Sequence, residues 1–284
     1  MFGLIQSLNL ITSVLAPFNT YMKHVIKKLL SEGLVNVEAE NLLKWFTDHS
    51  NHTFVFFDTE TTGLSREGGN QLTQVGAIAA YFNPETLRFA ETGKFNKHVR
   101  LGSEIQDKLD AEKDLEIPDD PKELGKMLGT SKRAILKYNH YDIDKSATYD
   151  EELSVLADFM DFLDEQGPVV LLAHNAPFDL SFVEISQMFK SADREVFDTL
   201  KFFKNVFFPI LTRISSSSEK SQNLLNKFGE KKSSALVNLV KGFSSASELE
   251  AKLNMAHEAV QDCRNTLEVF EKGILAVYQH LNGK

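Results

Sequence analysis

Four consecutive apolar side chains, Phe54-Val55-Phe56-Phe57, run straight into Asp58-Thr59-Glu60-Thr61-Thr62-Gly63-Leu64. A continuous apolar run of that length predicts a strand buried on both faces. Side chains along a strand alternate, so Asp58 and Glu60 project the same way from its end. Two carboxylates that close repel, and one pKa rises; a divalent cation removes the conflict. Gly63 then allows a tight turn whose amides can meet a ribose or a phosphate. Taken alone, the pair equally fits a strand ending in a polar turn, with Asp58 as its cap.

Two later stretches carry the same kind of chemistry. In Ala173-His174-Asn175-Ala176-Pro177-Phe178-Asp179, a short buried strand (169–172) feeds a helix over 177–190. Pro177 suits its first position, and Asp179 falls in the first turn, where exposed amides favour negative charge. Phe178, Phe182, Ile185 and Phe189 form that helix's apolar stripe, and His174 reads as a hydrogen-bonder in the turn. The stretch His257-Glu258-Ala259-Val260-Gln261-Asp262 opens the last helix, whose inward stripe includes Val260, Cys263, Leu267, Phe270, Ile274 and Leu281. Five residues on a helix amount to roughly 140° of rotation. His257 and Asp262 therefore converge only if His257 sits in a loop or frayed turn before the helix. Read singly, Asp179 also fits a helix-dipole residue, and the last stretch an ordinary polar helix start.

Elsewhere the chain reads as a mixed α/β fold. Residues 1–50 are helical in pattern, with Leu4, Leu8, Ile11, Leu15 and Phe18 on one face. That face suits packing on its own domain or on a protein partner. Interrupting polar residues leave it short of the ~20 apolar residues of a membrane span, and it lacks the features of a secretory signal. Strands over 72–82 and 87–99 join the first in an antiparallel meander, with the first strand central. Residues 101–146 form a polar insertion with short helices, broken by Pro118 and Pro121. A helix covers 149–166 and a last strand 196–200. Serine-rich 215–218, continuing to Ser221, reads as a mobile loop, and 224–241 as helix-like.

Among 284 residues there is one cysteine, Cys263. An intrachain disulfide is excluded, and a reducing, cytoplasmic setting is the default. The net charge of −9 argues against a protein that wraps duplex by bulk electrostatics. Its distribution is uneven: nine acidic against three basic residues over 101–123, and eight basic against two acidic over 201–241. This suits an enzyme that grips a few phosphates.

In order, DTETTGL, AHNAPFD and HEAVQD resemble the motifs of the DEDDh (DnaQ-like) 3′–5′ exonucleases, over about residues 53–280. Phe197-Asp198-Thr199-Leu200 adds to the likeness. The resemblance implies an RNase H-like fold, a mixed five-stranded sheet flanked by helices, as an exonuclease domain over 51–284 behind an N-terminal helical extension over 1–50. It implies hydrolysis from the 3′ end of single-stranded nucleic acid, with DNA favoured over RNA, by two Mg²⁺ or Mn²⁺ ions. Asp58 would bridge the ions, Glu60 and Asp262 complete one site, and Asp179 hold the other. His257 would be the general base. Thr61 and Leu64 would contact the 3′-terminal nucleotide, and Asn175 and Phe178 line its pocket, Phe178 fitting the core equally well. The alternative is a proofreading-type subunit that acts mainly by docking on a polymerase or other replication partner. The extension and the insertion at 101–146 depart from the family pattern.

Overall fold

The apolar run becomes β1 (Thr53–Thr61), the central strand of a five-stranded sheet of order β3-β2-β1-β4-β5. β2 (Leu72–Asn83) and β3 (Arg88–His98) continue from it as an antiparallel meander, while β4 (Val169–Ala173) and β5 (Val196–Asp198) lie parallel to it. The computed structural model describes residues 49, 52–83, 88–184, 194–215, 219–229 and 232–281; the predicted helices of residues 1–48 lie outside them. This is the RNase H-like architecture that the motifs imply: a mixed five-stranded sheet flanked by helices.

Alternation along β1 sorts its side chains between two cores. Phe54 and Phe56 join Phe82, Phe89, Leu172, Cys263 and Phe270 on one face. Val55 and Phe57 join Phe159, Leu163, Leu171, Phe182 and Val183 on the other. The first face is covered by α11 (Ala259–Leu281) and by helical segments after β5: α6 (Thr199–Phe202), a π turn (Phe203–Phe207) and α7 (Phe208–Ser215). The second is covered by α4 (Glu152–Glu165) and α5 (Ala176–Val183). Parallel strands need such crossovers, and α5 connects β4 to β5 in that way.

The polar insertion folds as α1 (Ser103–Ala111), α2 (Pro121–Met127), α3 (Lys132–Tyr138) and a 3₁₀ turn (Ile143–Thr148). It has a small apolar centre of its own, made by Leu101, Ile105, Leu109, Leu136 and Tyr141. Asp120 caps α2, accepting from the amides of Lys122 and Glu123, and Ser131 caps α3. Glu112 joins the end of α1 to the start of α3, accepting from Ser131 Oγ and the amides of Lys132 and Arg133.

Some boundaries differ from the pattern reading. β1 does not stop at Asp58 but pairs with β2 as far as Thr61, where a bulge between Glu60 and Thr61 shifts the register. Glu219-Lys220-Ser221 is not loop but the first turn of α8 (Glu219–Lys227); the serines at 216–218 lie outside the described residues. The helix-like stretch 224–241 is broken, with Gly229 at φ 67° ending α8 and α9 (Leu236–Phe243) following. α10 (Ala246–Asn254) was not anticipated; a capping box between Ser245 and Glu248 starts it.

Candidate active site at the end of the central strand

Asp58 and Glu60 follow Phe54 and Phe56 on the alternation that faces α11. Opposite them in β2 stand Gly76 and Gln74. A side chain at Gly76 would collide with backbone: an added Cβ would lie 2.6 Å from both Ala259 C and Val260 N. The start of α11 thus touches the sheet at a bare backbone, and the Cys263 thiol donates to the Gly76 carbonyl at 3.3 Å. Gln74 fixes the same end, accepting from the Ala259 amide and donating to Glu258 Oε1. These contacts bring Asp262 to the tip of β1.

His257 precedes α11 in a turn at φ 67°, clear of the helix. Its amide donates to Asp262 Oδ2 at 3.0 Å, closing the loop between the two residues. One ligand atom from each of Glu60, His257 and Asp262 lies within 4.8 Å of the other two.

Thr59, on the opposite alternation, points to α5 and holds Asp179. Its amide and hydroxyl both donate to Asp179 Oδ1, at 2.9 and 2.8 Å. Asp179 is 2% exposed in the first turn of α5. The strand entering that helix is tied down by His174, whose ring nitrogens lie 3.1 Å from Thr199 Oγ1 and 2.8 Å from the Ser234 carbonyl. Neither contact faces the carboxylates, as a turn hydrogen-bonder requires.

The electrostatics are those of crowded, buried acids. Burial, then Asp179, Glu60 and Asp262, pushes the Asp58 carboxyl well above its ordinary range. Burial, then Asp262 and Asp179, does the same to Glu60. Asp179 rises to about 7, mainly through burial and against its two bonds from Thr59. Asp262 is raised by burial against bonds from the His257 amide and Asn265. The His257 imidazole is pushed down to about 4 by burial and by His140, so it is neutral at neutral pH. Among the described residues no hydrogen bond or ion pair reaches the carboxylates of Asp58 or Glu60. Buried oxygen donors of one sign, without a protein cation between them, are the donor set that hard divalent cations take. The residues fit such ions.

The four substrate-contact candidates are more dispersed. The Thr61 hydroxyl donates to the Gly63 carbonyl at 2.7 Å, and its own carbonyl accepts from Asn139 Nδ2 at 3.0 Å. Leu64 is 88% exposed and borders a cavity of about 360 Å³, whose other wall includes Leu128, Ser131, Lys132 and Ile135. Asn175 is exposed at φ 75° before α5, its amide donating to Asp198 Oδ1. Phe178 is half-buried and packs on Phe182 in the core, 5.4 Å between ring centroids.

The motifs leave the role of the insertion open, whether to block duplexes, recruit a partner or narrow substrate choice. In the structure Lys132 Nζ donates to the Thr62 carbonyl and also meets Asn70, while Tyr138 meets the His257 ring and Asn139 and His140 meet the Thr61 and Ala256 carbonyls. Nothing in a polar, proline-broken segment announces this, because the contacts are long-range. Gly76 was legible in principle: an isolated glycine within a strand signals close backbone approach.

No family model matches the chain, and no curated protein does. Among solved structures it is similar to exonuclease I, at 15% identity and a TM-score of 0.49 over 82% of this chain and 43% of that one. It is likewise similar to E. coli exonuclease I in complex with a dT13 oligonucleotide, at 15% identity and a TM-score of 0.46 over 80% and 42%. Cell-death related nuclease 4 aligns at 15% identity and a TM-score of 0.40 over 79% of this chain and 64% of that one. The chain spans less than two thirds of each of these proteins.

Proposed function

We propose that this chain is a metal-dependent 3′–5′ exonuclease acting on single-stranded nucleic acid, with DNA favoured over RNA. The observation that carries the reading is the convergence of Glu60, His257 and Asp262 at the end of β1, beside Asp58, with Asp179 bound to the same strand through Thr59. The order of the three motifs supplies the direction of attack and the preference for a free 3′ end, by resemblance.

Asp58, Glu60 and Asp262 would hold one divalent cation and Asp58 with Asp179 a second, Mg²⁺ or Mn²⁺. Bound there, the ions supply a nucleophilic water near neutral pH and neutralise the leaving oxyanion. The chain contributes the rest. A ring nitrogen of His257, neutral and beside the carboxylates, takes the proton from the attacking water. Thr59 fixes one oxygen of Asp179 so that the other stays free for a ligand. The exposed Leu64 and Asn175 would offer apolar and polar surface to the terminal nucleotide.

The test is digestion of 5′-labelled single-stranded DNA and RNA of matched sequence with Mg²⁺ or Mn²⁺. A ladder of shortened products is expected, faster on DNA, and Asp58→Ala abolishes it by 10²-fold or more, about the loss of a metal-held nucleophile's support. Equal digestion by Asp58→Ala and the parent protein refutes the assignment.

A further inference from the structure

The turn that ends α3 reaches across the candidate site and touches both of its halves. Asn139, buried, donates to the Thr61 carbonyl at the end of β1. His140 Nε2 lies 3.1 Å from the carbonyl of Ala256, the residue before His257. The Tyr138 ring lies over the His257 imidazole, with centroids 4.1 Å apart and planes 33° apart. Three consecutive residues of the insertion therefore join the strand that bears Glu60 to the loop that bears His257.

His257 needs outside support. Its φ of 67° is a left-handed conformation that is strained for a non-glycine residue, so surrounding contacts must hold it. Its amide is held by Asp262. Among the described residues, however, no hydrogen bond reaches either nitrogen of its ring. That leaves both nitrogens open to a ligand or a proton, and it leaves the plane of the ring to be fixed by packing. Among the described residues the ring that meets it is Tyr138, its face tilted 33° to the imidazole. Burial and then the nearby Glu60 and Asp262 raise the Tyr138 phenol above its usual range, which places that residue beside the carboxylates as well.

We propose that Tyr138 is a positioning residue for His257, with Asn139 and His140 as the clasp that seats it, so that the insertion over 101–146 is a working part of the active site. The inference rests on the nuclease reading for its catalytic consequence, but the stack itself does not.

Two variants separate shape from volume. Tyr138→Phe keeps the flat ring and retains kcat within about twofold, since the hydroxyl is not the stacking element. Tyr138→Leu keeps an apolar side chain without a flat face and lowers kcat about 10- to 100-fold, with KM changed little, as expected when a reacting group is misoriented after the substrate has bound. A parallel measurement is independent of activity: the His257 ring-proton NMR shifts, displaced by the overlying aromatic ring, stay in place in Tyr138→Phe and move towards solvent values in Tyr138→Leu. An active parent protein whose Tyr138→Leu variant turns over at the full rate overturns this proposal alone. His257 shifts identical in the parent and Tyr138→Leu overturn it whatever the activity. A parent protein without metal-dependent cleavage refutes the nuclease reading, and the NMR comparison still decides the stack.

Discussion

Asp58 and Glu60 sit where a sequence selected for stability alone would place something else. Both are crowded by Asp179 and Asp262, and burial makes their charge costly. In ion-free protein the repulsion is uncompensated, so removing one charge relieves it. Asp58→Asn is therefore expected to stabilise the ion-free protein by roughly 0.5–2 kcal/mol, read as a higher melting temperature, while eliminating cleavage, as at other sites where stability and activity oppose each other. Mg²⁺ or Mn²⁺ should raise the melting temperature of the parent protein and leave that of Asp58→Asn nearly unmoved, because stabilisation by a ligand scales with its affinity for the folded state. Differential scanning with and without EDTA measures both effects.

Among the elements, the insertion depends on one joint. Glu112 at the end of α1 accepts three hydrogen bonds from the start of α3. Burial acts to raise its pKa, but the donors from Arg133, Ser131 and Lys132 outweigh it and the net shift is downward. A carboxylate whose pKa is lower folded than unfolded stabilises fully above its unfolded value, and that stabilisation is lost as pH falls through the folded value. Glu112→Gln should thus cost about 1 kcal/mol at pH 7, the figure being kept small by the residue's contact with solvent. The gap from the parent protein should close as pH drops below about 4. Urea unfolding at pH 7 and pH 3.5 checks the sign. Elements whose pattern is local were readable from the chain: the apolar run of β1, the meander, and the stripes of α4 and α11. The break between α8 and α9 and the extension of β1 to Thr61 depend on a left-handed glycine and on pairing with β2, which periodicity does not carry.

At the scale of the whole molecule, aromatic rings bind the sheet to its α11 side. Phe270 is 1% exposed and meets Phe56, Phe89, Phe197 and Phe202 at centroid distances between 5.1 and 6.2 Å, so a single ring touches β1, β3, β5 and α6. Phe270→Ala is expected to cost about 3–5 kcal/mol in urea unfolding, through lost burial and the cavity left behind. Of the candidate site, the acidic residues were legible because each lies in a short motif on a predictable element. Tyr138, Asn139 and His140 were not, because only the folded insertion carries them to the end of β1 and the loop of His257.

The bare contact at Gly76 also sets how α11 can move. Backbone resting on backbone leaves no room for closer approach, and Phe270, seated among four rings further along, holds the helix down, so a side chain at position 76 would be met by an outward tilt of the start of α11. Asp262 lies two residues beyond Val260, about 3 Å along the axis, and Phe270 about 15 Å along it. Pivoting on Phe270, such a tilt would carry Asp262 nearly as far as the contact itself, which ties the space at position 76 to the geometry of the carboxylates.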